Sequence, residues 1–113
     1  MRRPAFITLR SIIFPDPQAG VWIAQGLEYD ICAQAQTLED LHTAFEKALA
    51  ATAFACIELG QEPFDDMEPA PQKFWAMYEK AGKGLPLRHP KLVAIAGAPP
   101  VKVVERVTEI ESV

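Results

Sequence analysis

The chain has 113 residues, of which half are hydrophobic and 23% are charged, and this composition is typical of one globular domain with a modest core. Its formal net charge of −4 argues against general attraction to nucleic-acid phosphates, although a local basic patch remains compatible with that charge. The longest apolar-rich run, Ala48 to Ile57, is much shorter than the roughly 20 residues that span a bilayer, and no signal-peptide pattern opens the chain, so we expect a cytoplasmic protein without a membrane segment.

The first third of the chain predicts three strands. Residues 6–14 alternate apolar and polar side chains and are rich in β-branched and aromatic residues, which is typical of a half-buried strand. Residues 15–20 contain two prolines and a glycine suited to a turn, so residues 21–25 are predicted to return as an antiparallel strand. Residues 31–36 alternate again and predict the third strand.

A long helix is predicted to begin after Thr37. The Thr37 hydroxyl can accept a hydrogen bond from the backbone N–H of Asp40, and the Asp40 carboxylate favours the positive end of a helix. Gly60 is suited to end the helix. Apolar or small residues recur at three- and four-residue steps between these limits: Leu38, Leu41, Phe45, Ala48, Leu49, Thr52, Cys56 and Leu59.

The second half of this helix is apolar on almost every side. A helix of that kind is covered all round, either by its own domain or by another protein. Phe54 lies opposite the main apolar stripe, and in so small a chain we expect a second subunit to cover it. The predicted oligomer interface comprises Leu49, Ala50, Ala53, Phe54 and Ile57.

The remainder of the chain predicts fewer regular elements. Residues 62–71 are acidic and proline-rich and predict a loop, whereas residues 72–81 predict a short helix with one apolar face. Residues 85–100 contain four prolines and give no clear element, and the β-branched residues of 101–110 favour a last strand over a helix. The predicted fold class is α+β: an antiparallel sheet of three to four strands, in β-β-β-α-β order, packed on one long helix with a short second helix.

Three short segments carry a resemblance to a known family. They are Val21-Trp22-Ile23-Ala24-Gln25, Leu27-Glu28-Tyr29-Asp30-Ile31-Cys32 and Thr37-Leu38-Glu39-Asp40-Leu41. Together they resemble the second strand, the following turn and the helix start of the N-terminal domain of HicB-type antitoxins, which has a partial RNase H-like fold. The resemblance covers about residues 6–60. It implies a single HicB-like domain over residues 1–113, with residues 61–113 as a variable C-terminal extension.

The resemblance implies a binding protein rather than an enzyme. Antitoxins of this family usually carry a C-terminal DNA-binding unit, but no pair of consecutive amphipathic helices follows residue 60. We therefore expect a non-catalytic, antitoxin-like protein without such a unit. It is expected to form a homo-oligomer, a dimer or larger, and to bind a small basic toxin.

A basic segment offers an alternative function. Residues 73–91 carry five basic side chains and one acid, a local charge of +4, and basic residues interleaved with aromatics are suited to single-stranded nucleic acid. A solvated helix whose aromatics pack inward explains the same pattern. The candidate contacts for nucleic acid or for a partner protein are Lys73, Trp75, Lys80, Lys83, Arg88 and Lys91.

The sequence predicts no catalytic, metal or cofactor site. An RNase H-type nuclease requires carboxylates that hold divalent metal, the first of them in the first strand, but residues 6–14 contain no acid. A hydrolase would require a fold that brings Glu28 or Asp30 beside the acidic side chains of the loop at residues 62–71. Cys32 and Cys56 lack metal-ligand spacing, and we expect free thiols that pack as small hydrophobic side chains rather than a disulfide.

Overall fold

A computed structural model describes residues 6–81 and 91–108 of the chain. Within these ranges the chain forms five strands and two helices, numbered here in chain order. The strands are β1 (Ile7–Asp16), β2 (Val21–Gly26), β3 (Cys32–Ala35), β4 (Lys91–Val93) and β5 (Val101–Val107), and the helices are α1 (Leu38–Glu58) and α2 (Gln72–Lys80).

The described strands form one sheet in the order β3-β2-β1-β5-β4. The central strand β1 is antiparallel to β2 and parallel to β5. The α+β class, the long helix and the short second helix are therefore confirmed. The prediction of three to four antiparallel strands is wrong in detail, because the sheet is mixed and has five strands within the described residues.

The strand that the sequence did not predict is β4, at the edge of the sheet. It is three residues long, too short for a period-two pattern to stand out, and it forms by antiparallel pairing with β5, as in Val93 opposite Val101. The predicted last strand is confirmed over Val101–Val107, and it adds to β1 in parallel, with Val103 beside Leu9. This pairing joins residues more than 90 positions apart in the chain.

The hairpin between β1 and β2 forms as predicted and is closed by Asp16. The carbonyl oxygen of Asp16 accepts the backbone N–H of Gly20 at 2.9 Å, and its carboxylate Oδ1 accepts the N–H of Gln18 at 3.1 Å. Gly20 has a φ of +68°, which is unfavourable for residues with a Cβ. Turn chemistry within five residues therefore sets the register of the first two strands.

Both ends of α1 are capped by local hydrogen bonds. The Thr37 hydroxyl accepts the Asp40 N–H at 3.1 Å, as predicted. At the other end, the N–H of Gly60 donates to the carbonyl of Ile57, and the N–H of Gln61 donates to the carbonyl of Cys56. This pair of bonds is the Schellman motif, and the φ of +72° at Gly60 explains the glycine. The predicted limits of the long helix are confirmed.

Alternate residues of β1 enter two hydrophobic clusters on opposite faces of the sheet. Leu9 and Ile13 pack on the side of α1, whereas Ile12 and Phe14 pack with α2. The fold therefore has three layers in its described part, with the sheet between the two helices. The outward face of α1, opposite the sheet, is left to solvent or to another molecule.

Candidate interaction surface

The outward face of α1 changes character along the helix. Its first half presents Asp40, Thr43 and Lys47, all of them exposed polar or charged residues. In its second half, Phe54 is 63% exposed, and the exposed residues next to it on this face include three alanines, Ala50, Ala51 and Ala55. We call this face from Lys47 to Glu58 the outer stripe, and its members are Lys47, Ala50, Ala51, Phe54, Ala55 and Glu58.

Two further apolar side chains extend this surface at the end of the helix. Leu59 is 75% exposed and Ile57 is 38% exposed. A Cβ atom built on Gly97 would lie 3.1 Å from Cδ1 of Ile57, so the loop between β4 and β5 already covers part of the Ile57 side chain. Phe54 and Leu59 therefore have more apolar surface available to a second protein than Ile57 has.

The structure corrects two residues of the predicted interface. Leu49 and Ala53 are completely buried in the cluster between α1 and the sheet. They share one face of α1, because residues four positions apart lie on the same side of a helix, whereas Phe54, one position after Ala53 and five after Leu49, points away from that face. They are core residues and are inaccessible to a second subunit, whereas Ala50, Phe54 and Ile57 are exposed.

The basic candidates within the described residues, Lys73, Lys80 and Lys91, do not form one surface. Lys73 and Lys80 are exposed on α2. Lys91 lies at the other side of the sheet, where its ammonium group binds the Glu46 carboxylate of α1 at 2.6 Å. The other two candidates, Lys83 and Arg88, lie outside the described residues. The fold thus separates Lys91 from the two lysines of α2.

The Trp75 side chain is already engaged within the subunit. The guanidinium of Arg10 lies 4.7 Å from the centre of its ring, and its indole N–H donates to the carbonyl oxygen of Ala70 at 3.1 Å. A ring that stacks on a base must offer a free face, and a cation occupies one face of Trp75. This contact favours the alternative in which the aromatics of α2 pack inward.

Arginine side chains fasten α2 to the sheet. Arg10 on β1 donates from Nε to the Glu28 carboxylate at 2.6 Å, and its guanidinium also approaches Tyr78. Arg106 on β5 lies 4.2 Å from the centre of the Tyr78 ring and donates to the Tyr78 carbonyl at 3.1 Å. Burial raises the pKa of the Tyr78 hydroxyl, and the positive charges of Arg106 and Arg10 offset part of this rise. Tyr78 therefore stays neutral at physiological pH. These contacts explain how a nine-residue helix is held on the sheet.

The carboxylates near the turn after β2 are likewise used in structural contacts. Glu28 binds Arg10, and Asp30 accepts a hydrogen bond from the side-chain amide of Gln25 at 2.8 Å. The fold does bring this turn beside the acidic loop, because the Asp30 N–H donates to the carbonyl oxygen of Glu68 at 2.9 Å. In the part of the chain that the structure describes, however, no group of three or more His, Cys, Asp or Glu side chains is placed to hold a metal ion.

The acidic loop is anchored by an aromatic residue. Phe64 is 1% exposed and stacks on Tyr29 with ring centres 5.1 Å apart, and its backbone has a φ of +67°. The loop acids themselves are exposed, as expected for a solvated turn. Burial raises the pKa of Tyr29, and the charges of Glu28 and Asp65 raise it further.

His42 joins α1 to the sheet through Glu105. Its Nδ1 lies 3.2 Å from the Glu105 carboxylate, with both side chains largely buried. Ser11, on the strand beside Glu105, is 1% exposed. A serine nucleophile must reach its substrate, and a Ser11 hydroxyl enclosed between α1 and the sheet does not. The proximity of these three residue types therefore does not form an accessible catalytic site.

Both cysteines are free thiols, as expected. Their environments differ from the prediction of small core residues. Cys32 is exposed on β3, at the edge of the sheet, and Cys56 is half-buried in α1.

Comparison of the chain with family models, with curated proteins and with solved structures gives no match. The HicB-like resemblance therefore depends only on the motifs within residues 21–41. Among residues 6–81 and 91–108, no helix combines the length and hydrophobicity needed to cross a bilayer.

Phe54 and Ala50, which the sequence singled out, are exposed, but the sequence analysis did not single out the two charged residues at the ends of the outer stripe. Lys47 lies seven positions before Phe54, and Glu58 lies four positions after it. Both are exposed, and helical spacing places both on the same face as Phe54. In the sequence, the pattern that could have indicated these two residues is a lysine followed by a glutamate eleven residues later.

Proposed function

We propose that this chain is a non-catalytic binding module that acts through protein–protein contact, and that it self-associates through the outer stripe of α1. The observation that carries the proposal is the 63% exposure of Phe54 in the middle of an alanine face. Exposed apolar surface is unfavourable by roughly 25 cal/mol per Å². A contiguous apolar face on a helix, bordered by charged residues, is typical of a protein interface.

The alanines support a helical partner surface. Ala50, Ala51 and Ala55 have side chains small enough for a second helix to approach α1 closely. Phe54 projects from this flat face and can fill the space above an alanine of the opposing surface. Aromatic anchors of this kind contribute a large share of the binding energy in many interfaces.

A toxin-neutralising, antitoxin-like role in the cytoplasm is the finer form of this proposal. It is supported by the HicB-like motifs and by the net charge of −4, which complements a small basic partner. Coexpression with the protein encoded beside it tests this role. A stable complex with a small basic neighbour supports the role, and two separately eluting proteins contradict it.

The absence of catalysis is also part of the proposal. It is supported by the contacts of the residues best suited to acid–base chemistry, because Glu28 binds Arg10 and His42 binds Glu105 within the subunit. The alternative of nucleic-acid binding has less support, because Lys91 and Trp75 are engaged elsewhere within the subunit.

Alanine methyl groups provide a test of self-association in the unmodified chain. In a protein labelled with ¹³C at alanine methyls, we expect the signals of Ala50, Ala51 and Ala55 to shift as the protein concentration rises, because the partner's Phe54 ring shields them. The signal of Ala76, exposed on α2, should stay in place as the control. Shifts confined to Ala76, or no shift at any alanine, would contradict the proposal.

A further inference from the structure

We infer that the molecule covering the outer stripe is a second copy of this chain, whose α1 lies antiparallel to the first across a two-fold axis. The axis passes through the stripe midway between Ala51 and Phe54. This inference rests on the proposed function and deepens it by naming the occupant and its orientation.

The spacing of the stripe is symmetric about its centre. Its six exposed positions follow one another at steps of three, one, three, one and three residues, and the order of these steps is the same from either end. A two-fold rotation therefore places every stripe position opposite another stripe position. The pairs are Lys47 with the partner's Glu58, Ala50 with the partner's Ala55, and Ala51 with the partner's Phe54. Interfaces between identical subunits require this self-complementarity.

The side-chain sizes of the stripe fit the antiparallel arrangement. In the antiparallel pair, each Phe54 ring faces the partner's Ala51, so a large side chain meets a small one at two symmetric places. Ala50 and the partner's Ala55 lie at the same height on the two flanks of the contact, where their small side chains let the two backbones approach. A parallel pair in register would instead oppose the two Phe54 rings and leave a gap between the alanines. Close packing therefore favours the antiparallel arrangement.

The charges at the two ends of the stripe are complementary in the antiparallel arrangement. In the antiparallel pair, Lys47 at one end of the stripe faces the partner's Glu58, and the symmetric contact lies at the other end. The parallel pair would oppose Lys47 to the partner's Lys47, and Glu58 to the partner's Glu58. Charge pairs at the edge of an interface contribute mainly to the selection of partner and register. The two ends of the stripe thus specify orientation, and its apolar centre supplies affinity.

The size of the contact sets the expected affinity. The stripe spans eleven residue steps, about 17 Å of helix. A contact built mainly on that length is smaller than the standard interface of roughly 1,600 Å². We therefore expect a dimer that dissociates on the order of micromolar concentrations, typical of small and transient interfaces.

Charge exchange between two variants tests the orientation. Lys47→Glu places two like-charged contacts in its own homodimer, and so does Glu58→Lys, so each variant alone should dissociate roughly tenfold more readily than the wild type. When the two variants are mixed in equal amounts, each contact in the heterodimer again joins a lysine to a glutamate. Sedimentation velocity of the mixture should therefore show dimers at concentrations where the separate variants are monomers.

Lys73→Glu is the matched control. It changes the net charge by the same amount as Lys47→Glu, but it lies on α2 and should leave its own dimer unchanged. Mixed with Glu58→Lys, it should give less heterodimer than Lys47→Glu does, because one of the two end contacts still joins a lysine to a lysine. Circular dichroism of each variant checks that the fold is intact.

The outcomes distinguish this inference from the function on which it rests. Recovery of dimers only in the mixture of Lys47→Glu and Glu58→Lys supports the antiparallel pair. A wild-type dimer with a mixture that stays monomeric overturns the orientation while leaving self-association in place. A wild type that is monomeric at every concentration overturns both the inference and the proposed self-association.

Discussion

Phe54→Asp should leave the protein monomeric at concentrations where the wild type forms dimers. The substitution removes the aromatic side chain at the centre of the outer stripe and places a carboxylate there, and it does so twice in a symmetric dimer. Burial of an unpaired charge is strongly unfavourable, and the loss of one aromatic anchor from an interface commonly costs about 2 kcal/mol or more. The dissociation constant should rise at least about 100-fold.

The measurement is sedimentation velocity of both proteins over the same concentration range. Leu92→Asp is the matched control, because Leu92 is 57% exposed on β4 and lies away from α1. The control should sediment like the wild type. The thermal melt of Phe54→Asp, at concentrations where both proteins are monomeric, should differ little from that of the wild type, because Phe54 is 63% exposed. Equal sedimentation of Phe54→Asp and wild type would show that the outer stripe is not the interface.

Leu49→Ala should lower the free energy of unfolding by about 2–5 kcal/mol, the range for a leucine truncated in a core. Leu49 is completely buried between α1 and the sheet, in contact with the cluster that includes Leu9 and Ile13. Its truncation leaves a cavity that the neighbouring strands cannot fill without distortion. This loss is a large fraction of the stability of a small domain.

The matched control is the same substitution at the end of the same helix. Leu59 is 75% exposed, so Leu59→Ala should change the free energy of unfolding by less than about 0.5 kcal/mol. Urea denaturation should be followed at protein concentrations below the dimer dissociation constant, because association adds to the measured stability. If Leu49→Ala lowered the free energy of unfolding as little as Leu59→Ala, Leu49 would lie at the surface. That result would contradict the assignment of the core face of α1.

The elements that the sequence predicts well are those that depend on local chemistry. The cap at Thr37, the end of α1 at Gly60 and the turn closed by Asp16 each require contacts within a few residues. The apolar face of α2 was also predicted, since helical periodicity places Tyr78 and Ala81 together.

The topology of the sheet was harder to predict because it depends on distant pairing. No pattern within residues 101–107 indicates that β5 lies between β1 and β4, parallel to the first and antiparallel to the second. Edge strand β4 has three residues and is defined by its bonds to β5. The packing of α2 on the face opposite α1 depends on contacts of Arg10 and Arg106 with Tyr78, which no local spacing foretells.

The candidate site shows the same division. Helical periodicity was sufficient to place Phe54 opposite the main apolar stripe. It was not sufficient to separate Leu49 and Ala53 from the interface, because a nearly all-apolar helix segment offers several faces of similar hydrophobicity. The position of the sheet decided which of these faces is the core. The proposed contact between Lys47 and the partner's Glu58 depends on knowing which face of α1 is exposed.

Self-association through the outer stripe is tested most directly by sedimentation equilibrium of the unmodified chain from low micromolar to near-millimolar concentration. We predict an average mass that rises from the 12.5 kDa of one subunit towards twice that value as concentration increases. A mass that stays at 12.5 kDa throughout this range would mean that α1 carries a bare Phe54 in solution, and it would contradict the account.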